Sequence, residues 1–129
     1  MRLALRDSLP FITVSITYCG AGLEIPNVLV DTGSAGTLLA ADMLAKIGIV
    51  PEPYDTLVKV YGVGGAESVF ARRMDRLQVG DQTVEGLEIS IGAMDYGLEI
   101  NGILGMDFLL AAGAVINLCG LEMHFQANE

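Results

Sequence analysis

The stretch "NVLVDTGSAG", residues 27–36, constrains this chain more than any other. A β-favouring apolar run ends abruptly in Asp31, followed by small turn-forming residues and then by "TLLA". An ionised carboxylate costs on the order of several kcal/mol to bury unless it is hydrogen-bonded or shares a proton. Two readings follow. Asp31 caps a turn at a helix start, or its chemistry justifies its place. In the second reading Gly33 allows close backbone approach and turns its N–H toward the carboxylate. The Ser34 hydroxyl then reaches the outer carboxylate oxygen, and the Thr32 hydroxyl ties the turn to a counterpart. On the residues alone the two readings are comparable.

The surrounding pattern is β-rich. "PFITVSITY" alternates apolar and hydroxyl residues, and "LEIPNVLV" returns after the turn "CGAG". Leu39, Met43 and Ile47 fall at helical spacing and predict a helix over 37–47. Ser34 or Thr37 would cap its start and Gly48 its end. "TLVKVY" and "ESVFARRMDRLQV" read as strands joined by the hairpin tip "GVGGA". "TVEGLEISIGAM" reads as one further strand, "MDFLLAA" as a short helix stopped by Gly113, and "AVINLCGLEMHF" as a closing hairpin. No linker or low-complexity stretch divides the chain, so residues 1–129 read as a single domain.

Composition narrows the function. The formal charge is −9, from 16 acidic and 7 basic residues, which argues against nucleic acid and against an anionic membrane surface. The basic cluster Arg72, Arg73 and Arg76 reads as a solvated strand edge, with substrate selection as the less favoured reading. No apolar run approaches the length of a membrane span, and "MRLALRDSLP" lacks the apolar core of a signal peptide. Cys19 and Cys119 form no metal-binding spacing. These features predict a soluble, cytoplasmic protein with no metal and no cofactor. His124, the single histidine, falls on the solvent side of an alternating strand. Ser34 is not set in a G-x-S-x-G nucleophile elbow. "GVGGAE" lacks the third glycine of a phosphate loop. The carboxylates remain.

"VLVDTGSAGTLL" followed far downstream by "INGILGMDFL" resembles the aspartic proteases of the single-domain retropepsin type. The likeness spans roughly residues 9–125. It implies a mainly β, closed β-barrel-like acid-protease fold with one or two short helices. In that family the aspartate of Asp-Thr-Gly is catalytic, which maps onto Asp31. The resemblance makes Thr32, Gly33 and Ser34 its support, with Thr32 as an inter-subunit hydroxyl grip. It makes Ile103, Leu104 and Gly105 the apolar segment that crosses behind the turn. A flap over bound peptide would comprise Gly62, Val63, Gly64 and Gly65, with Val63 touching the ligand. Tyr61 takes no catalytic role, and Asp107 is expected to cap the following helix or to pair at the surface. The terminal strands that knit retroviral dimers have no secure counterpart here.

Peptide hydrolysis of this kind needs two facing carboxylates sharing one proton, with a water between them. The chain holds one Asp-Thr-Gly. The resemblance therefore implies a homodimer in which Asp31 meets Asp31 of a second copy, acting on a peptide or protein substrate. The hydrophobic fraction of 52% agrees with a surface covered by a partner. The alternative is the same fold with an idle dyad, serving dimerisation or peptide binding. A third reading leaves Asp31 as a plain cap.

Overall fold

The computed structural model describes residues 1–62, 65–94 and 99–126, with residues 58–62 and 65–68 described by backbone alone. The expected flap positions Val63 and Gly64 lie outside the described residues. In chain order the elements are β1 (Ala4–Arg6), β2 (Leu9–Tyr18), β3 (Ala21–Val30), β4 (Leu38–Ala40), α1 (Ala41–Leu44), β5 (Leu57–Gly62), β6 (Gly65–Arg73) and β7 (Arg76–Val79). There follow β8 (Gln82–Glu85), β9 (Glu88–Gly92), β10 (Gly102–Leu104), α2 (Met106–Ala112), β11 (Ala114–Asn117) and β12 (Glu122–Phe125).

Strands β1 to β10 form one sheet in the order β5-β6-β9-β4-β10-β3-β2-β7-β8, with β1 added to β2. The chain is mainly β, as expected, and the sheet curls into a half-barrel. The expected closure does not occur. Strands β5 and β8 remain opposite edges with no pairing between them among the described residues. The reason lies in β6. It joins β9 only through Phe70–Arg73, and among the described residues the rest of it pairs with β5 alone, so the sheet thins to a two-stranded ribbon at this edge.

The predicted helix over 37–47 is corrected. Residues 38–40 form β4, wholly buried, parallel to β9 and antiparallel to β10. Pairing on both sides satisfies backbone groups that a helix would satisfy internally, so tertiary context overrides the helical spacing. Helix α1 occupies only Ala41–Leu44, without a side-chain cap. A 3-10 turn over Ala45–Ile47 extends it to Gly48, whose left-handed φ of 81° ends it as expected.

Two long predicted strands are each broken in two. "ESVFARRMDRLQV" is β6 and β7, separated at Met74 and Asp75. Met74 is buried with its N–H on the Leu87 carbonyl, whereas Asp75 donates its N–H to Thr17 and accepts from the Cys19 N–H. The chain thereby passes from β9 to β2 as partner. "TVEGLEISIGAM" breaks into β8 and β9 at Gly86, where φ is +70°.

The core lies inside the curl, where Val14, Ile25, Leu39, Leu77, Ile91 and Phe108 lose essentially all solvent contact. Helix α2 contributes Phe108, Leu109 and Ala112 and ends, as predicted, at Gly113, whose backbone is left-handed. Strands β11 and β12 pair as the expected closing hairpin, with Met123 buried and His124 exposed. Leu3 donates its N–H to the Leu121 carbonyl and Arg2 bridges Glu122, so the first residues run beside β12 of their own chain.

Candidate active site

Three strands deliver the site. β10 lies between β3 and β4, parallel to the first and antiparallel to the second. Ile103 opposes Leu29 on one side and Leu38 on the other, and Leu104 opposes Val30. The register is anchored by Asn101. Its N–H binds the Asn27 carbonyl at 2.9 Å and its amide nitrogen binds the Pro26 carbonyl at 2.9 Å. Asn27 is left-handed (φ 59°), a conformation asparagine tolerates, and it lies where the β2–β3 register shifts.

Asp31 follows the last residue of β3. It donates its N–H to the Leu104 carbonyl at 3.0 Å, so the sheet ladder continues one step into the turn. Its carboxylate Oδ1 accepts the Gly33 N–H at 2.9 Å, the bond that an Asx turn and a braced carboxylate both make. Asp31 is half-buried in the single chain, and Thr32 and Gly33 are exposed. The aspartate stands at the end of a core strand with its turn open to solvent, and is not carried into the core.

Ser34 behaves otherwise than expected. Its hydroxyl donates to the Gly36 carbonyl at 2.7 Å, and its backbone N–H donates to the Asp31 carbonyl at 3.2 Å. It shapes the loop and does not bind the Asp31 carboxylate.

Behind the turn, residues 34–37 are fastened to residues 105–107. Met106 donates its N–H to the Ser34 carbonyl at 2.8 Å, and Asp107 to that of Ala35 at 3.1 Å. Thr37, a buried polar residue, donates its hydroxyl to Asp107 Oδ1 at 2.7 Å and its N–H to Asp107 Oδ2 at 3.0 Å. The same hydroxyl accepts the Gly105 N–H at 3.1 Å. Gly105 has no room for a side chain, since a Cβ there would run into the Gly36 carbonyl. Gly105 therefore serves by close approach, Leu104 by its carbonyl, and Ile103 by its place in the ladder.

Thr37 and Asp107 carry more of this framework than their sequence suggested. Thr37 was expected as a possible helix cap, and Asp107 as a cap or surface group. Asp107 does take the Phe108 N–H at 2.7 Å near the start of α2. The available signal was a lone hydroxyl residue opening the apolar run "LLA" and an acid two residues beyond Leu-Gly.

The basic cluster also divides. Arg73 and Arg76 are exposed, but Arg72 is not on a solvated edge. Its guanidinium meets Asp55 through Nη2 at 2.6 Å and Nε at 3.2 Å. The two side chains keep only 12% and 7% of their exposure. The Arg72 hydrogen bond holds the Asp55 carboxyl below the usual carboxylate range, against its desolvation and with help from the Glu52 N–H. Arg72 is correspondingly raised, chiefly by Asp55.

Gly62 and Gly65 pair with each other at the far end of the β5–β6 hairpin, where the flap was expected. A cavity of about 300 Å³ is lined by Met1, Gly80, Asp81, Met123, His124 and Phe125, none of them a predicted site residue. Among the described residues no three His, Cys, Asp or Glu side chains stand together as metal ligands. Nor is any helix there long and apolar enough to cross a membrane.

No curated protein matches the chain. A family model described as "Aspartyl protease" matches residues 14–108, from within β2 to α2, and so takes in both the Asp31 turn and β10. By that match the chain belongs to the aspartyl protease family, within the retropepsin-like clan.

Proposed function

We propose that this protein is an aspartic endopeptidase whose active site forms between two copies of the chain. The observation that carries the reading is the Asp31 turn. A carboxylate braced by the Gly33 N–H stands half-buried beside the exposed Thr32, on a loop locked from behind. The chain has one such turn. A C2 axis beside Thr32 would set Asp31 against Asp31 of a second copy and bury what one chain leaves open.

In that arrangement the two carboxylates share one proton. The charged member takes a proton from the water between them as the water oxygen attacks the scissile carbonyl carbon. The protonated member gives its proton to the carbonyl oxygen. Collapse of the tetrahedral intermediate breaks the C–N bond, with a proton delivered to the leaving nitrogen, and releases a carboxylic acid and an amine. The peptide lies extended, as an added strand, under the hairpin that carries Gly62, Val63, Gly64 and Gly65. The reaction needs no metal or cofactor. The acidic balance of the chain disfavours nucleic acid and anionic membrane as partners, and the protein is assigned to the cytoplasm.

The test is cleavage of a mixed peptide library from acidic to neutral pH by wild type and Asp31→Asn, with mass measured in the same buffers. Cleavage by the wild-type dimer alone, with a bell-shaped pH profile, is the expected result. Cleavage by a strict monomer would overturn the shared dyad. A well-folded dimer that cuts nothing at any pH would favour a peptide-binding module.

A further inference from the structure

The β5–β6 hairpin is a two-stranded arm. Leu57 pairs with Phe70, and the ladder runs out to Gly62 opposite Gly65. Only Phe70–Arg73 also pair with β9, so among the described residues Gly65–Val69 have β5 as their one pairing partner, and of these Val69 is buried against Gly92 of β9. A two-stranded ribbon is marginal on its own. Its direction is therefore set where it leaves the sheet.

At that root sits Arg72. Asp55 stands two residues before β5, and Arg72 two residues beyond Phe70. Besides both oxygens of Asp55, the guanidinium donates to the Val50 carbonyl at 3.2 Å and to the Tyr18 hydroxyl at 3.3 Å. It lies 5.7 Å from the Tyr18 ring centre and 5.6 Å from that of Phe70. Asp55 also accepts the Glu52 N–H at 2.7 Å, and Ala71 donates its N–H to the Thr56 carbonyl at 3.3 Å. One planar fork thus joins the loop before the arm, the strand leaving it and the end of β2. An ammonium supplies a point charge in place of that fork. A pair this enclosed is unlike an exposed ion pair, because removing either member strands a charge.

We propose that the Arg72–Asp55 pair is the root clamp of the β5–β6 arm and that Arg72 is a positioning residue for peptide binding, setting the arm against the extended substrate. This rests on the peptidase reading. Neither residue touches the reacting atoms, so breaking the clamp weakens capture of peptide and leaves the chemical step to Asp31.

The test uses the whole protein with Asp55→Asn and, as the milder change that keeps the charge, Arg72→Lys. Amide hydrogen exchange is followed along the chain, and kcat and KM are measured on the library peptide that wild type cuts fastest. The expected result is exchange faster by about tenfold or more over residues 57–72, with β2, β3 and β10 unchanged. KM rises about tenfold while kcat stays within about threefold of wild type. Unchanged exchange in the arm, or loosening spread evenly over the whole sheet in both variants, overturns the clamp. A fall in kcat at constant KM overturns the positioning role. Should wild type cut no peptide, the peptidase reading fails, and with it the substrate role of Arg72. Arm exchange would still decide the clamp separately.

Discussion

Thr37 and Asp107 stand 70 residues apart and are joined twice, hydroxyl to Oδ1 at 2.7 Å and backbone N–H to Oδ2 at 3.0 Å. The hydroxyl also holds the Gly105 N–H. One buried threonine therefore couples the loop after Asp31 to the segment that crosses behind it. Thr37→Val removes the hydroxyl, leaves the Gly105 N–H unpaired and takes one of two donors from Asp107 Oδ1, which keeps the Phe108 N–H. Each stranded buried group costs about 1–3 kcal/mol, so chemical denaturation should show a loss of that order. Thr37→Ser should retain most of the stability. In the peptidase reading Thr37→Val also lowers kcat, because the Asp31 turn loses its backing.

Gly105→Ala should be worse than its single added methyl suggests. The new Cβ meets backbone, the Gly36 carbonyl, and backbone cannot rotate away as a side chain can. Overpacking usually costs about 1–3 kcal/mol, and this site belongs at the upper end. Thermal unfolding measures it. A shift no larger than that of Gly48→Ala, where a Cβ meets nothing but φ is left-handed, would count against the tight crossing.

Asp55 makes stability depend on pH in a defined direction. Its folded pKa lies below the ordinary value of 3.8 because Arg72 donates to it. Its contribution is therefore fully present above the ordinary value and is lost as pH falls through the folded one. Tyr18 also faces the pair, its hydroxyl accepting from the guanidinium, and Glu52 does so through its backbone N–H. Asp55→Asn should flatten the acid limb of a plot of Tm against pH, with the largest difference from wild type near neutrality. Parallel curves down to strongly acidic pH would contradict this.

Thr32 is exposed in the single chain. Thr32→Val should thus leave monomer stability within about 0.5 kcal/mol, as for an ordinary surface substitution. If its hydroxyl grips a second copy, the same change weakens the dimer. Sedimentation across a concentration series, beside thermal unfolding at low concentration, separates the two effects. Equal dimerisation by wild type and variant would remove Thr32 from the interface.

Local chemistry alone determined a good deal. The alternation of β-branched and polar residues marked β2 and β3, and left-handed glycines stopped two helical segments at Gly48 and Gly113. A carboxylate two residues before glycine, at the end of an apolar strand, foretold the Gly33 N–H on Asp31. These are short-range effects, settled by residues within a turn of one another. Tertiary structure decided the rest. Leu38–Ala40 became a strand because β9 and β10 offered partners on both sides. The Ser34 hydroxyl turned to Gly36. Thr37 found Asp107, and Arg72 found Asp55. The sheet stayed open, with no pairing between its edge strands β5 and β8 among the described residues. Each of these outcomes depends on which distant segment arrives to satisfy a backbone group or a charge. That competition is resolved only when the whole chain packs, so no local pattern encodes it.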